Sequence, residues 1–142
     1  MKYPEELVKP IRDEVVRMGF TEARSPEDVQ REIGADSRTV LVFVNSVCGC
    51  SAGIARPGLA KALSQGARPD KLLTTFAGVD TDATDYVRSL FPQYPPSSPQ
   101  AALFKDGKVV AVIQRHQIEG STADRVAALF NTIFDQHCAA VR

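Results

Sequence analysis

The 142-residue chain has only three cysteines and no excess of charge of either sign. Three cysteines cannot form a framework of structural disulfides, because any pairing leaves one over. Lysine and arginine together number 17, aspartate and glutamate also number 17, and there is no basic run. These absences exclude a disulfide-stapled scaffold and argue against a nucleic-acid partner.

Long apolar segments are absent as well. No run approaches the roughly 18–20 apolar residues of a membrane span, and the residues from Met1 to Leu7 do not form the apolar core of a signal peptide. We therefore expect a cytoplasmic protein that has no membrane partner and whose thiols are kept reduced. Hydrophobic residues make up 44% of the chain, which at this length predicts one compact domain with its own core.

The pattern of apolar residues predicts an α/β protein with a single domain, residues 1–142. Residues 1–38 are expected to form a helical N-terminal extension, and residues 39–142 a core that reads β-α-β-α-β-β-α. The predicted helices of the extension are residues 4–19 and 26–33. In the core the predicted strands are residues 39–45, 72–77, 100–104 and 108–113, and the predicted helices are residues 50–65, 80–91 and a last one that starts after Ser121 or Thr122.

The connections between these elements predict the sheet. Strands joined through a helix run parallel, and the Asp106-Gly107 pair predicts a tight hairpin that adds an antiparallel edge. We therefore expect a mixed central sheet flanked by helices. Asp80 is expected to cap the helix that follows it, and Pro57 predicts a kink or break near Arg56 in the helix after the first strand.

Two cysteines, Cys48 and Cys50, lie with Gly49 between them at the junction of the first strand and this helix. A helix start presents free N–H groups and the positive end of its dipole, which lower the pKa of a nearby thiol. Positions i and i+2 of a helix point apart, so a disulfide here needs a distortion that Gly49 permits and is strained and easily reduced. The pattern favours a thiol–disulfide catalyst with Cys48 as nucleophile and Cys50 as resolving or packed thiol, over two small residues in a tight turn.

Other residues fall near this junction. Asn45 and Ser46 are expected to hydrogen-bond a thiolate or, as is more common, to cap the helix. Pro99 opens the strand of residues 100–104, which starts beside the junction. A cis bond there would leave the preceding peptide free to pair with an incoming peptide or thiol, although only ~5–6% of X–Pro bonds are cis.

Four further residues have weaker signals. Arg56 would add positive potential near the thiols, but an arginine there is more often solvated. His116 reads as a surface-loop histidine rather than an acid or base. Cys138 reads as a thiol without a role rather than a third redox thiol or a ligand. A metal-binding module built from Cys48, Cys50, His137 and Cys138 stays an alternative, although zinc pairs usually have about two to four intervening residues.

One segment resembles the signature of the bacilliredoxins, a group of thioredoxin-fold proteins: residues 45–57, NSVCGCSAGIARP. The blocks 96–99, 115–120 and 137–138 resemble the same family, and the resemblance covers nearly the whole chain. It implies a thioredoxin-like fold, a cis Pro99 and thiol–disulfide oxidoreductase activity. It also implies that Cys48 attacks the mixed disulfide between a protein and bacillithiol, a small thiol of some bacteria.

The resemblance also implies which partners and which substrate-binding residues the protein has. The partners are S-thiolated client proteins and a low-molecular-weight thiol, bacillithiol or another, as co-substrate, with no cofactor and no metal besides the redox-active cysteines. The expected substrate-binding residues around Cys48 and Cys50 are Asn45, Ser46, Gly49, Ser98 and Pro99.

Two differences from thioredoxins bear on the activity. Val47 replaces the usual tryptophan, and Val42 stands where thioredoxins have a buried acid. Without that carboxylate the proton of a resolving thiol needs another route, which favours a glutaredoxin-like partner of a small thiol over a general reductase. A disulfide isomerase or oxidase that uses a strained Cys48–Cys50 disulfide is the alternative.

Overall fold

The computed structural model describes residues 3–34 and 38–138. Its centre is a five-stranded mixed sheet with the strand order β1-β3-β2-β4-β5. The strands are β1 (Thr21–Glu22), β2 (Thr39–Asn45), β3 (Lys71–Phe76), β4 (Gln100–Lys105) and β5 (Lys108–Ile113). The pairs β1–β3 and β2–β3 are parallel, whereas β2–β4 and β4–β5 are antiparallel. This arrangement confirms the predicted mixed α/β fold.

The described residues form six α-helices and one π-helical turn. The helices are α1 (Glu5–Val16), α2 (Pro26–Glu32), α3 (Arg56–Leu63), α4 (Thr81–Ser89), α5 (Arg115–Ile118) and α6 (Ala123–His137), and the π-helical turn is Ser51–Ala55. None of the helices in these ranges combines the length and apolar composition of a membrane span.

Strand β2 lies in the middle of the sheet and is buried along its whole length. Alternate side chains of a strand point to opposite faces. Leu41 and Phe43 therefore pack on the face covered by α3 and α6, whereas Val42 and its alternate neighbours pack on the face covered by α2 and α4. Helices on both faces explain why β2 is continuously apolar from Val40 to Val44.

Three elements of the structure were not predicted from the sequence: β1, the short helix α5 and the π-helical turn. β1 adds an edge strand beside β3, so the N-terminal segment is not purely helical. Its two residues are too few to show an alternating pattern. Pro10 neither starts nor ends a helix but lies inside α1.

A buried ion pair holds α1 against the sheet. The Nη1 and Nη2 atoms of Arg12 each donate to a carboxylate oxygen of Asp80 over 2.8 Å, and the guanidinium lies 5.4 Å from the centre of the Phe76 ring. Asp80 also accepts from the Phe76 N–H and makes no side-chain capping bond to α4. Asp80 is thus the N-cap residue of α4, as predicted, but its side chain does not cap the helix, since the carboxylate neutralises an arginine buried in an adjacent helix.

Gly58 allows α3 and α6 to approach closely. A Cβ atom at Gly58 would lie 2.9 Å from the carbonyl oxygen of Ala123 and 3.0 Å from Cβ of Val126. No side chain larger than hydrogen fits there unless the two helices move apart.

We predict that Gly58→Ala lowers the free energy of unfolding by about 1–3 kcal/mol, because the added methyl overpacks the α3–α6 contact. Helix propensity alone would make the same change stabilising by about 1 kcal/mol, so the sign of the effect is informative. Urea unfolding measures it. Gly53→Ala is the matched control, because a Cβ there meets no atom within 4 Å. A Gly58→Ala protein at least as stable as wild type would contradict the prediction.

Candidate active site

The candidate site lies where β2 ends and helical structure begins. After Asn45 the chain bends at residues 47–48, helical structure starts at Gly49, and the π-helical turn leads into α3. Where a kink or break was predicted, near Arg56, the chain stays helical, but its hydrogen-bond pattern changes from π-helix to α-helix between Ala55 and Arg56. Pro57 lies in the first turn of α3, where a missing N–H costs nothing.

The two cysteines of the site face each other. The Sγ atoms of Cys48 and Cys50 are 2.7 Å apart, and both residues are half-buried free thiols. Gly49 between them is exposed. On a regular α-helix these positions would point apart, so the local distortion that the sequence analysis required is present.

The surroundings of Cys48 favour its thiolate. Burial by itself raises the pKa of Cys48, but hydrogen bonds outweigh it and the pKa is lowered. The donors are the Cys50 thiol, the Ser46 hydroxyl and the backbone N–H groups of Ser51 and Cys50. Because the thiolate is the nucleophilic form, Cys48 is the better nucleophile of the pair at neutral pH.

Cys50 has the opposite shift. Burial raises the pKa of Cys50, and both its hydrogen bond to Cys48 and the negative charge of Cys48 raise it further. The positive charge of Arg115 acts against these effects. Cys50 is therefore the protonated partner that donates to the Cys48 thiolate.

The side chain of Asn45 links the residues on either side of the two cysteines through hydrogen bonds. Its Oδ1 atom accepts from the Ser46 N–H over 2.8 Å, from the Ser51 hydroxyl over 3.2 Å and from Nη1 of Arg56 over 3.1 Å. The Ser46 hydroxyl in turn accepts from the Cys48 N–H over 3.2 Å. Asn45 is 1% exposed and Ser46 is 7% exposed. These buried side chains therefore hold the cysteine segment in place through hydrogen bonds and do not line the surface that a substrate would meet.

Arg56 is buried, contrary to the expectation that it is solvated. Its side chain is 6% exposed and forms an ion pair with Glu14 of α1. Nη1 also donates to the Ser46 carbonyl over 3.1 Å and to the Ser51 hydroxyl over 3.0 Å. One guanidinium thus joins α1, the end of β2 and the π-helical turn. The sequence places Glu14 and Arg56 42 residues apart, which hides this contact from local pattern analysis.

The loop before β4 lies beside the thiols. Gln100 pairs with Val44 near the end of β2, so the preceding residues pass next to the Cys48 segment. The Ser98–Pro99 bond is cis, as the family resemblance implied. Pro99 is buried and Ser98 is half-buried. The loop is fixed from its other side, because the Oε1 atom of Gln114 accepts from the Ser97 hydroxyl over 2.7 Å and from Gln100 over 2.6 Å.

Arg115 is a site residue that the sequence analysis did not single out. It opens α5, and its Nη1 donates to the Ser98 carbonyl over 3.2 Å. Its hydrogen bonds to Glu119 and the negative charges of Cys50 and Cys48 raise the pKa of Arg115. The only available signal was its position in the family-like block 115–120. Its neighbour His116 is exposed.

The four residues of the metal-binding alternative are not brought together. Cys138 packs beside Thr39 at the start of β2, where burial raises the pKa of its thiol. Cys48 lies beyond the other end of this seven-residue strand, about 20 Å away at the usual rise of a strand. In residues 3–34 and 38–138 no group of three or more potential ligands is placed to hold a metal ion. The metal-binding alternative is therefore wrong for this set.

Known proteins resemble this chain over nearly its full length. A family model described as "Disulphide isomerase" matches residues 3–138. A bacilliredoxin of Koribacter versatilis is 44% identical over 138 residues, which cover 97% of this chain and 95% of the relative. A bacilliredoxin of Bacillus thuringiensis is 45% identical over 133 residues, which cover 94% of this chain and 92% of the relative. A bacilliredoxin of Salinibacter ruber is 50% identical over 136 residues, which cover 91% of this chain and 79% of the relative.

Solved structures resemble its fold. A thioredoxin of Malassezia sympodialis superposes with a TM-score of 0.57 at 18% identity, covering 83% of this chain and 90% of that one. A thioredoxin of Fasciola hepatica gives 0.55 at 17% identity, covering 83% and 99%. These likenesses confirm the predicted thioredoxin-like fold.

We predict that Arg56→Met lowers the free energy of unfolding by about 2–3 kcal/mol, because it leaves buried acceptors without their donor. The pKa of Cys48 should rise as well, since the Ser46 and Ser51 donors are then held less firmly. Urea unfolding and the pH dependence of iodoacetamide alkylation measure the two effects. Glu14→Gln is the control, because it removes one ion pair and keeps the other acceptors of Arg56. Equal effects of the two variants would contradict the role of the network.

Proposed function

Since this chain belongs to the bacilliredoxin family and is a thiol–disulfide oxidoreductase, we propose that it reduces mixed disulfides between proteins and a small thiol, which is bacillithiol in bacteria that make it. The observation that supports this most is the pairing of Cys48, whose pKa is lowered, with Cys50, whose pKa is raised. In such a pair Cys48 is the nucleophile of the first step. Cys50 stays protonated during that step and remains available to resolve the mixed disulfide afterwards.

In the first step the Cys48 thiolate attacks the sulfur of the small thiol in the mixed disulfide. A bond forms between Cys48 and that sulfur, and the original S–S bond breaks. The client thiolate leaves and takes a proton from water. The client sulfur keeps the electron pair of the broken S–S bond, and Cys48, whose lone pair forms the new bond, is left as a mixed disulfide with the small thiol.

In the second step Cys50 can resolve this intermediate. After the first step Cys48 carries no negative charge, so the largest effects besides burial that raise the pKa of Cys50 are gone. The charge of Arg115 then favours the Cys50 thiolate, whereas the charge of Glu119 still opposes it. The proton of Cys50 goes to water. Attack of Cys50 on the Cys48 sulfur releases the small thiol and leaves a Cys48–Cys50 disulfide. A second molecule of the small thiol can instead attack the sulfur of the first. A disulfide of two small thiols then forms, the bond to Cys48 breaks, and Cys48 is restored as a thiolate.

The partners follow from this reaction. Client proteins carry the small thiol on a cysteine, and free small thiol serves as the co-substrate that regenerates the enzyme. We place the reaction in the cytoplasm, where a pool of reduced small thiol keeps Cys48 available for attack.

A second candidate function uses the oxidised pair. The Cys48 and Cys50 sulfurs face each other over 2.7 Å, so a disulfide between them needs little movement and would serve an oxidase or isomerase. Oxidative refolding of a reduced, unfolded client protein by the oxidised enzyme tests this function separately, because the client thiols then attack the Cys48–Cys50 disulfide and become a disulfide themselves.

We predict that Cys48→Ser reduces release of the small thiol from a protein mixed disulfide to the uncatalysed rate, because the nucleophile is lost. Cys50→Ser should keep single-turnover transfer and need free small thiol for further cycles. Intact-mass spectrometry of enzyme and client follows both steps. Cys138→Ser is the control and should match wild type. Full activity of Cys48→Ser would disprove the nucleophile assignment.

A further inference from the structure

We propose that Arg115 forms an anion-binding subsite beside Cys48 and Cys50 that selects small thiols bearing a carboxylate. This inference rests on the proposed function and deepens it, because it names the chemical class of the small thiol.

The position of Arg115 places a guanidinium at the rim of the site. Its Nη1 atom donates to the carbonyl of Ser98, in the loop that passes beside the end of β2. The side chain is 42% exposed, so an incoming molecule can reach its remaining N–H groups. The charge of Arg115 also acts on the Cys48 and Cys50 sulfurs, so a charged group on a small thiol bound at Cys48 lies within the electrostatic range of this guanidinium.

A second arginine adds positive charge on the same loop. Arg88 donates to the Ser97 carbonyl over 2.7 Å and to Oε1 of Gln100 over 3.4 Å. Both of these acceptors are neutral. The loop before β4 is thus flanked by two guanidinium groups, one half-buried and one exposed. The acidic groups that face them are Glu119, beside Arg115, and Asp85, beside Arg88.

Glu119 occupies the guanidinium in the absence of a ligand. Its Oε2 atom accepts from Nε of Arg115 over 3.0 Å and from Nη2 over 2.8 Å. This is an exposed pair between the first residue of α5 and the residue that follows the helix, with 59% of the Glu119 side chain exposed, and such pairs are weak. A ligand carboxylate that is already tethered near Cys48 can replace Glu119, because a guanidinium fork matches any carboxylate equally well.

The subsite also decides which sulfur is attacked. A mixed disulfide offers Cys48 two sulfurs, one on the client and one on the small thiol. A carboxylate held by Arg115 places the sulfur of the small thiol against Cys48. The new bond then joins Cys48 to the small thiol, the old S–S bond breaks, and the client leaves as a thiolate that gains a proton from water. Attack on the other sulfur would instead link the client to the enzyme.

The experiment uses three small thiols of similar size and different charge. A neutral reporter peptide with one cysteine is disulfide-bonded to 3-mercaptopropionate, to 2-mercaptoethanol or to cysteamine. The second-order rate constant for release of the free peptide in a single turnover of pre-reduced enzyme is measured for each, with the wild type and its variants. The ratio of the anionic to the neutral probe is the readout, since a general effect on loop geometry or thiol pKa cancels in it.

We predict that Arg115→Met lowers this ratio about threefold to tenfold, as expected for loss of one charged contact at a partly exposed site. Arg115→Lys should keep part of the preference, and Glu119→Gln should raise the ratio because it removes the competing carboxylate. High salt should reduce the ratio of the wild type. Arg31→Met is the matched control, because Arg31 is an exposed arginine paired with Asp28 in α2.

The outcomes separate this inference from the proposed function. If Arg115→Met changes release from all three probes by the same factor, the arginine acts only through the Ser98 loop, and the anion subsite is disproved while the proposed function stands. If the wild-type enzyme releases peptide from none of the probes, the proposed function fails together with the subsite.

Discussion

The buried guanidinium of Arg56 is the contact on which the site depends. A charge can be buried only when its hydrogen-bonding groups find partners, and those of Arg56 find them on three separate elements. The partners are the Asn45 side chain and Ser46 carbonyl after β2, the Ser51 hydroxyl in the π-helical turn, and Glu14 on α1. The N-terminal helix is therefore part of the support of the candidate active site and not an appendage to the sheet.

The Arg56 contacts fix the short segment that holds both cysteines, and this segment gives Cys48 and Cys50 opposite pKa shifts. Once residues 46 to 51 are fixed, the Ser46 hydroxyl and the N–H groups of the first helical turn point at the Cys48 sulfur and lower its pKa. The resulting negative charge, with burial, raises the pKa of Cys50. Nucleophile and resolving thiol are thus set by one geometry, and attack by Cys48 removes the charge that keeps Cys50 protonated.

The fold was predictable where the physical signal is local. The continuous apolar run of β2 indicated a strand covered on both faces, and Asp106-Gly107, with φ of 55° and 81°, predicted the hairpin turn. The cysteine pair at the strand–helix junction was equally visible. Burial of Arg56 was not, because its acid comes from a distant helix. Arg115 was missed because an exposed arginine has no pattern of its own, and its place beside the thiols is set by the loop before β4.

The most direct test of this account is an NMR titration of protein labelled with ¹³C at the cysteine Cβ atoms, which follows each thiol separately. A lowered pKa means that Cys48 stays ionised to lower pH than an ordinary cysteine. We predict that Cys48 titrates first, at a lower pH than an unstructured cysteine peptide in the same buffer, whereas Cys50 and Cys138 titrate at a higher pH than that peptide. If Cys50 or Cys138 loses its proton before Cys48, the assignment of Cys48 as the activated thiol is wrong.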